Sequence, residues 1–460
     1  MASPSKARAA LAALREELVG DVFAPADAGY DEARAVFNAR VDRRPAVIAQ
    51  CADATDVVRA VRFGRELDLP VAVRGGGHGV AGTALGDGAL VVDLRRMHRV
   101  SVDPAARAVR VEGGALMSHL DRATEPYALA TTGGRVSTTG VGGYVLGGGS
   151  GWLDRAFGLA VDNLLGVELV TADAERVRAS ADGDPELFWA LHGGGGNFGV
   201  ATALTLRLHA LPEFSVVLLL YPPPLGPDVV RTFREVVRTG PDEVGGAVFY
   251  LTGPPAGFTP PELVGRPLCA ALLTYVGGED DLRKLAQPLL ALPHEVELAG
   301  DMPYADAQCL LDDPPGMRNH WSAEYLDTLP DEAVAAFCAG ADGMPVPTGS
   351  RHTLFPQGGA IAAGPHAYPV PYRDAAWAVH PFALWADPAD DERALAWVRD
   401  VRAAVRPWRT GAVYLNYIGD EGPDRVRAGL GAENTLRLEK VKHRYDPDNV
   451  FRFNHNIRPL

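Results

Sequence analysis

Three glycine-rich segments constrain this chain more than any other feature of its 460 residues. They span residues 75–88, 133–151 and 193–199, and each borders a short apolar run that is typical of a buried β-strand. Glycine allows unusual backbone dihedrals, and it lets another group approach the backbone N–H groups closely. A single segment of this kind indicates only a tight turn between strands. Three of them favour cradles of backbone N–H groups that bind phosphate.

The glycine spacing does not fit the dinucleotide site of a Rossmann fold. Two G-x-G-x-x-G matches occur, at Gly77, Gly79 and Gly82 and at Gly194, Gly196 and Gly199. In the Rossmann fold a helix follows the glycines, and the N-terminus of that helix holds the pyrophosphate. Here the apolar run ALVVDL begins shortly after the first match, and a strand pattern follows the second. The sequence therefore disfavours a pyridine-nucleotide reductase.

Composition predicts how the chain is divided. A chain of 460 residues is too long for one ordinary hydrophobic core. Residues 1–211 contain the glycine segments between helix and strand patterns, so we predict a first, cofactor-binding domain there. Residues 212–405 are richer in proline and predict a second domain with its own sheet and helices. Residues 406–460 are too short for a domain, and we expect them to pack back onto the first.

Two local patterns give further expectations. The run ADATDVVRAVRFGRELDL has helical spacing after an Asp or Thr cap, and NTLRLEKVKHRYDP is also helix-like. The run VATALTLRLHAL, after the third glycine segment, alternates between apolar and polar residues and predicts a strand with one solvent-exposed face.

Charge and residue usage limit the possible partners. The net charge of −14 disfavours a nucleic-acid-binding surface, which needs clustered Lys and Arg. No apolar run reaches the roughly 18 residues of a membrane-spanning helix, so no membrane partner is expected. The N-terminal segment, interrupted by Arg15, Glu16 and Glu17, predicts an amphipathic helix rather than a signal peptide, and hence a cytoplasmic protein. Four scattered cysteines and no HExxH pattern predict neither disulfides nor a metal site.

The motifs around the glycine segments resemble those of a known family. VRGGGHGVAGTALGDGALVVDL resembles the histidine-attachment segment of FAD-linked oxidases in the vanillyl-alcohol-oxidase superfamily. TTGGRVSTTGVGGYVLGGGSGWLDRAFGLAVDNLLGVELVTADAE and FWALHGGGGNFGV are similar to two further FAD-binding segments of its berberine-bridge-enzyme-like branch, and VKHRYDPDNVFRFNHNIRP to the C-terminal signature of that branch. The resemblance implies an α+β fold. It consists of a two-part FAD-binding domain of the vanillyl-alcohol-oxidase (PCMH) type and a substrate domain with an antiparallel sheet covered by helices.

The resemblance also implies how the cofactor is held. FAD would be bonded through its 8α-carbon to His78, since a neutral imidazole nitrogen is a competent nucleophile. Val136 stands where many family members have a second, cysteinyl attachment, so only the histidyl bond is expected, and a large oligosaccharide substrate is disfavoured. The positions that match cofactor contacts are Arg74, Gly75, Gly76, Gly77, His78, Gly79, Val136, Ser137, Thr138, Thr139, Gly140, Gly142, Gly143, Tyr144, Asn163, Val200, Tyr417, Asn454 and Asn456.

The same resemblance assigns the chemistry. Tyr414-Leu415-Asn416-Tyr417 matches the family's YxNY, with Tyr417 as the proton acceptor and Tyr414 beside it. A phenol needs a nearby cation or hydrogen bonds to lower its pKa from about 10. In an extended strand Tyr414 and Tyr417 would point to opposite faces, whereas Asn454 and Asn456 would share one. Thr139 matches the oxygen gatekeeper, where a small residue favours an oxidase over a dehydrogenase.

These assignments predict an oxidase that removes a hydride from a small alcohol, sugar or secondary-metabolite intermediate and is reoxidised by O2. A flavin-N5-oxide oxygenase and a dehydrogenase of the same fold are the alternatives. A non-catalytic binding protein is disfavoured because the YLNY and FNHNI segments are complete. We expect a monomer or a homodimer. The pocket candidates from the middle of the chain are aromatic: Tyr250, Trp321, Phe355, Tyr372 and Trp385.

Overall fold

The computed structural model describes residues 4–460. The strands are β1 (Asp21–Phe23), β2 (Val47–Gln50), β3 (Val71–Arg74), β4 (Leu90–Asp93), β5 (Val100–Asp103), β6 (Ala108–Glu112), β7 (Leu129–Ala130), β8 (Leu164–Val170), β9 (Arg176–Ala179), β10 (Val200–Arg207), β11 (His209–Ala210), β12 (Ser215–Tyr221), β13 (Val244–Thr252), β14 (Pro267–Tyr275), β15 (Val296–Asp301), β16 (Arg318–Trp321), β17 (Glu324–Leu326), β18 (Arg351–Pro356) and β19 (Trp377–Trp385).

The helices are α1 (Pro4–Glu17), α2 (Tyr30–Arg34), α3 (Ala54–Glu66), α4 (Met117–Thr124), α5 (Val141–Leu146), α6 (Asp154–Phe157), α7 (Pro185–Ala190), α8 (Gly226–Thr239), α9 (Glu279–Leu290), α10 (Tyr304–Ala307), α11 (Asp331–Ala339), α12 (Ala360–Ala363), α13 (Asp391–Ala404), α14 (Pro423–Leu430) and α15 (Ala432–Tyr445). In the part of the chain described, no helix is both long and apolar enough to cross a bilayer.

A four-stranded sheet, in the order β1-β2-β4-β3, carries the first glycine segment. Strands β3 and β4 are parallel neighbours, and residues 75–89 join them without forming a helix. Gly77 and Gly82 have positive φ angles of 74° and 68°, which favour glycine. Helix α3 covers this sheet and begins as predicted, because the Asp53 carboxylate accepts hydrogen bonds from the Thr55 and Asp56 N–H groups. The absence of a helix after Gly82 agrees with the rejection of the Rossmann arrangement.

A five-stranded sheet follows, in the order β5-β6-β10-β8-β9. Its central strand β10 pairs with β6 on one side and β8 on the other, and only Arg207, at its end, is exposed. The prediction of one solvent-exposed face for this strand was therefore wrong. Thr202 is buried and Thr205 is only partly exposed, and Thr202 Oγ1 donates to the Glu168 carbonyl.

The third large sheet has eight strands. Their order is β15-β12-β14-β13-β18-β19-β16, and β17 pairs beside β19. All its pairs are antiparallel. Alternate side chains pack under helices α8, α9, α11 and α13 on one face. The other face packs in a second core together with residues from the first 211 positions of the chain. The predicted α+β fold, with an antiparallel sheet covered by helices, is confirmed.

The C-terminal segment packs against the residues of the first sheet. Phe451 forms a parallel bridge with Val71 and is buried with the apolar core around α3. The fully buried Lys442 of α15 donates to the carbonyls of Asn197 and Phe451 and to the Asp446 carboxylate. This cluster ties the third glycine segment to the chain end. The division at residues 211 and 405 stays a prediction, although each sheet takes its strands from one side of residue 211.

Candidate active site

A cavity of about 350 Å³ lies where the glycine segments, the eight-stranded sheet and the C-terminal segment meet. Glycines from all three segments line it, together with side chains of β13, β16, β18 and β19 and residues 414–418. Most of the predicted site residues share this wall, namely Gly75, Gly76, Gly77, His78, Gly79, Val136, Thr139, Gly140, Gly142, Gly143, Tyr144, Tyr414, Tyr417 and Asn454.

The first two glycine segments touch through their backbones. A Cβ added at Gly76 or at Gly140 would collide with the backbone of the other residue, so both positions require glycine for close approach. By contrast, a Cβ added at Gly143 or Gly196 would meet no protein atom within 4 Å, although both residues line the cavity. Their bare backbone thus borders space that a ligand can fill. A long ligand with a pyrophosphate fits such a cradle.

His78 stands at the cavity wall, shortly after the end of β3. Its ring stacks on Phe37, with centroids 4.0 Å apart, and its Nε2 shares a 2.9 Å hydrogen bond with Thr138 Oγ1. Burial lowers the pKa of His78 to about 4, so the imidazole is neutral at ordinary pH. When Nε2 donates its proton to Thr138, the lone pair resides on Nδ1, which is then the nucleophilic nitrogen.

The neighbouring residues of the second glycine segment have different roles. Val136 lines the cavity, and no cysteine lines it in residues 4–460. Ser137 does not line it, because its backbone N–H and its hydroxyl both donate to the Asp312 carboxylate, at 2.7 Å and 2.6 Å. Thr139 does line it, with its backbone fixed by the Met117 N–H. Thr138 contributes to the site through the hydrogen bond between its hydroxyl group and His78 Nε2.

The YLNY segment is a turn of 3-10 helix and not an extended strand. The prediction that this segment is an extended strand, with Tyr414 and Tyr417 on opposite faces, was wrong. The turn brings Tyr414 and Tyr417 to the same side, with ring centroids 4.7 Å apart. The Tyr414 hydroxyl accepts hydrogen bonds from the Gly149 N–H and from Asn416 Nδ2. Burial raises the pKa of Tyr414, which marks it as a neutral residue that holds the second glycine segment.

Arg135 is the cation next to Tyr417. Its Nη1 donates to the Tyr417 hydroxyl oxygen at 3.0 Å, and the guanidinium forms an ion pair with the buried Asp154 carboxylate at 3.3 Å. The guanidinium also lies 4.0 Å from the centroid of the Phe355 ring and 5.0 Å from that of Trp152. Burial raises the pKa of Tyr417, and the positive charge of Arg135 opposes that rise.

The sheet side of the cavity is built from alternate residues of β18 and β19. Arg351, Thr353 and Phe355 line it from β18, and His380 and Phe382 line it from β19. Of the predicted pocket aromatics, Phe355 and Trp321 line the cavity, whereas the structure places three elsewhere. Tyr250 and Trp385 lie under the helices on the opposite sheet face, and Tyr372 packs in the main core. The positions of Tyr250 and Trp385 along their strands direct both side chains to the helix-covered face. Burial in the core keeps Tyr372 from the cavity.

The remaining predicted cofactor contacts lie behind or beside the wall. Arg74 donates to the carbonyls of Ala33 and Ala35, and burial lowers its pKa to about 10. Asn163 is occupied by the Phe157 and Leu159 carbonyls and by His209, and Val200 is buried at the start of β10. The chain bends at residues 453–455, so Asn454 and Asn456 do not share one face of an extended segment. Only Asn454 lines the cavity.

Buried polar atoms of the cavity-lining residues lack hydrogen-bond partners among the described residues, including Tyr144 Oη in the second glycine segment and Asn454 Oδ1 in the C-terminal segment. Because buried polar groups are normally satisfied, such a cluster is expected where a polar ligand binds. No group of three or more His, Cys, Asp or Glu side chains that could hold a metal ion occurs within the described chain. The donor set and the bare glycine backbone fit FAD.

Together the fold and the cavity define an FAD-binding oxidoreductase. A family model described as "FAD binding domain" matches residues 45–180, and one described as "Berberine and berberine like" matches residues 413–458. The (R)-6-hydroxynicotine oxidase of Paenarthrobacter nicotinovorans is 30% identical over 451 residues, covering 96% of this chain and 97% of the relative. The chain belongs to the berberine-bridge-enzyme-like family of FAD-linked oxidoreductases.

Solved structures agree with this membership. The crystal structure of 6-hydroxy-D-nicotine oxidase from Arthrobacter nicotinovorans superposes with a TM-score of 0.85 at 28% identity, covering 96% of this chain and 99% of that one. The BBE-like 1 protein of Physcomitrella patens superposes with a TM-score of 0.86 at 21% identity, covering 98% and 99%. Because the sequence identity to the Physcomitrella patens protein is only 21%, this similarity is evidence for the fold alone.

Sequence reasoning missed two residues that the structure places at the centre of the cavity. Arg135 lies inside the second glycine segment, and a long cation between small and apolar residues was a signal that could have drawn attention to it. His380 interrupts the apolar strand WAVHPFALW, and a lone polar residue on a buried strand face is a similar signal. Neither signal identifies the residue that the side chain contacts. Arg135, for example, bonds to Tyr417, which is 282 positions away in the sequence.

Proposed function

We propose that this chain is an oxidase that holds FAD covalently through His78 and oxidises a small organic substrate, with O2 as the final electron acceptor. The observation that carries the proposal is the single cavity that brings together the bare glycine backbone, a neutral histidine and a tyrosine paired with a buried arginine. The bound FAD would supply an acceptor for the hydride that leaves the substrate carbon.

The attachment rests on His78 and Thr138. The lowered pKa keeps the His78 ring neutral, and the stacking on Phe37 restrains its orientation. In the tautomer in which Nε2 donates to Thr138 Oγ1, the lone pair is on Nδ1, the nitrogen that would bond to the flavin. Val136 offers no thiol, so a single bond through the histidine is the arrangement that these side chains support.

Proton removal rests on Tyr417 and Arg135. Loss of a hydride from an alcohol carbon requires the hydroxyl proton to leave, and Tyr417, which lines the cavity, can accept that proton as a phenolate. Arg135 stabilises the phenolate through a charge-assisted hydrogen bond. Asp154 and the Phe355 ring hold the guanidinium in place. Tyr414 keeps its proton and fixes the glycine backbone through Gly149.

The use of O2 rests on Thr139, whose small side chain lines the cavity beside the glycine turn. A small residue leaves space for dioxygen. The relative named (R)-6-hydroxynicotine oxidase supports a small-molecule substrate for this chain as well. A dehydrogenase built on the same site would share the substrate oxidation step but pass the electrons to an acceptor other than O2, whereas an oxygenase would transfer oxygen to the substrate.

Two measurements test the proposal. Acid precipitation of the purified protein should leave the yellow pigment in the pellet, and His78→Ala should release it into the supernatant. Substrate turnover should yield one H2O2 per product without incorporation of labelled oxygen from ¹⁸O2. Pigment that dissociates intact from the wild-type protein would refute the covalent bond. Turnover that requires an artificial acceptor would identify a dehydrogenase, and labelled product would identify an oxygenase.

A further inference from the structure

His380 is a buried polar side chain of the sheet-side wall. It lies in β19 opposite Thr353 of β18, is 8% exposed and lines the cavity. Its ring lies 4.3 Å from that of Tyr417, centroid to centroid, and between Phe355 and Phe382 at 6.0 Å and 6.3 Å. Its Nε2 has no hydrogen-bond partner in the described part of the protein.

A buried ring nitrogen without a partner indicates a missing hydrogen-bonding group. Burial lowers the pKa of His380 to about 3, assisted by the positive charges of Arg135 and Arg351 and by His352, so the ring is neutral. In a neutral imidazole Nε2 either donates or accepts, depending on the tautomer. A hydroxyl group can do both, and it therefore satisfies this nitrogen in either tautomer. The facing titratable group on the other side is Tyr417.

The charged side chains of the cavity are already neutralised. Arg135 is paired with Asp154, and Arg351 donates to Asp313 at 2.6 Å. Both carboxylates are buried, with side chains 4% and 6% exposed. A substrate carboxylate would therefore find no uncommitted cation here, and it would be desolvated beside two acids. The cavity favours an uncharged ligand.

The rest of the sheet-side wall is mainly aromatic. Trp321 stacks on Phe382 with centroids 5.2 Å apart, and both line the cavity together with Phe249 and Phe355. Arg351 covers the Phe382 ring at 4.7 Å. Such surfaces favour a flat apolar ring, since aromatic pairs gain energy beyond the area they bury. A sugar would need many hydrogen-bonding partners, whereas the uncharged polar side chains that β18 and β19 bring to this wall are His380 and Thr353.

We propose that His380 binds the hydroxyl group of an uncharged aromatic substrate whose ring packs against Phe355, Phe382 and Trp321. The inference narrows the substrate class of the proposed oxidase and rests on that function. His380 acts here as a binding residue, and no bond changes at it.

The test measures equilibrium binding to the oxidised holoprotein from the change in flavin absorbance. Phenol and toluene are suitable probes because they have nearly the same shape, differ by one hydroxyl group and carry no alcohol carbon to oxidise. His380→Phe should raise the Kd of phenol by about 3–10-fold, the value of one hydrogen bond, while the Kd of toluene stays within about twofold. Benzoate and D-glucose should bind the wild type at least about tenfold more weakly than phenol.

Control variants separate binding from folding. His380→Asn keeps a donor and an acceptor and should retain phenol affinity within about threefold. His352→Phe changes a buried histidine of β18 that faces away from the cavity and donates from Nε2 to the Phe337 carbonyl, so phenol binding should not change. The flavin content and the melting temperature of each variant, compared with those of the wild type, show whether the variant is correctly folded.

Three results would overturn the inference: equal effects of His380→Phe on phenol and toluene, no effect on either, or benzoate or glucose binding as tightly as phenol. Because binding is measured without turnover, these results bear on His380 alone. A missing covalent bond or a missing H2O2 product would instead count against the proposed function.

Discussion

Replacing Arg135 by glutamine should slow substrate oxidation by making Tyr417 a poorer proton acceptor. The guanidinium donates to the Tyr417 oxygen at 3.0 Å in a buried environment. At an effective dielectric constant of about 20, unit charges at this distance attract by roughly 5 kcal/mol. Asp154 pairs with the same guanidinium and offsets part of that attraction. We therefore expect the net effect on the Tyr417 pKa to be about 1–3 units.

The sign follows from the protonation state that the reaction needs. The phenol accepts a proton only when it is deprotonated, and loss of the cation raises the pKa of Tyr417 further above its usual value. At any pH below that pKa, the rate falls about tenfold for each unit, so Arg135→Gln should oxidise substrate about 10–1000-fold more slowly. The deficit should shrink as pH rises, because the phenolate then forms without help.

The assay is the anaerobic rate of flavin bleaching with a substrate that turns over, recorded across pH. Arg135→Lys should restore part of the rate, and Asp154→Asn should shift the pH profile in the opposite direction, since it removes the opposing charge. Arg351→Gln is the matched control, because Arg351 is also an ion-paired arginine of the cavity wall but bonds to Asp313 and not to Tyr417. A pH profile of Arg135→Gln parallel to that of the wild type at all pH values would refute the reasoning.

Two further predictions concern attachment and stability. Thr138→Val removes the hydroxyl that bonds His78 Nε2 and should lower the covalently bound fraction of FAD, measured by acid precipitation; an unchanged fraction would show that another contact orients the ring. Lys442→Met leaves the fully buried Asp446 without its cation and should reduce the free energy of unfolding by about 3–5 kcal/mol, measured by urea denaturation. Lys440→Met, at an exposed position of the same helix, should have little effect and would contradict this reasoning if it were equally destabilising.

The elements that depend on local chemistry were predictable. Asp53 caps α3 as its sequence context indicated, and the glycine segments form turns without a helix after Gly82. The order of the family motifs in the sequence was enough to indicate FAD. The close backbone approach that the site needs is a property of glycine itself. Two errors came from extending a simple period. The alternation in β10 does not reveal that other elements cover both of its faces, and the YLNY segment forms a turn where an extended strand was expected.

The sequence by itself determined which segments can cradle a cofactor and which histidine stands among them, because the backbone freedom of glycine and the order of motifs are encoded locally. Only the tertiary structure decided that Arg135 meets Tyr417 and that His380 completes the wall beside them. Arg135 and Tyr417 are 282 positions apart and lie on different segments from His380, so these contacts depend on the phase of each strand and on one turn of 3-10 helix. Charge pairing and burial arise from packing, so the reactivity of these side chains is fixed only when the sheets assemble.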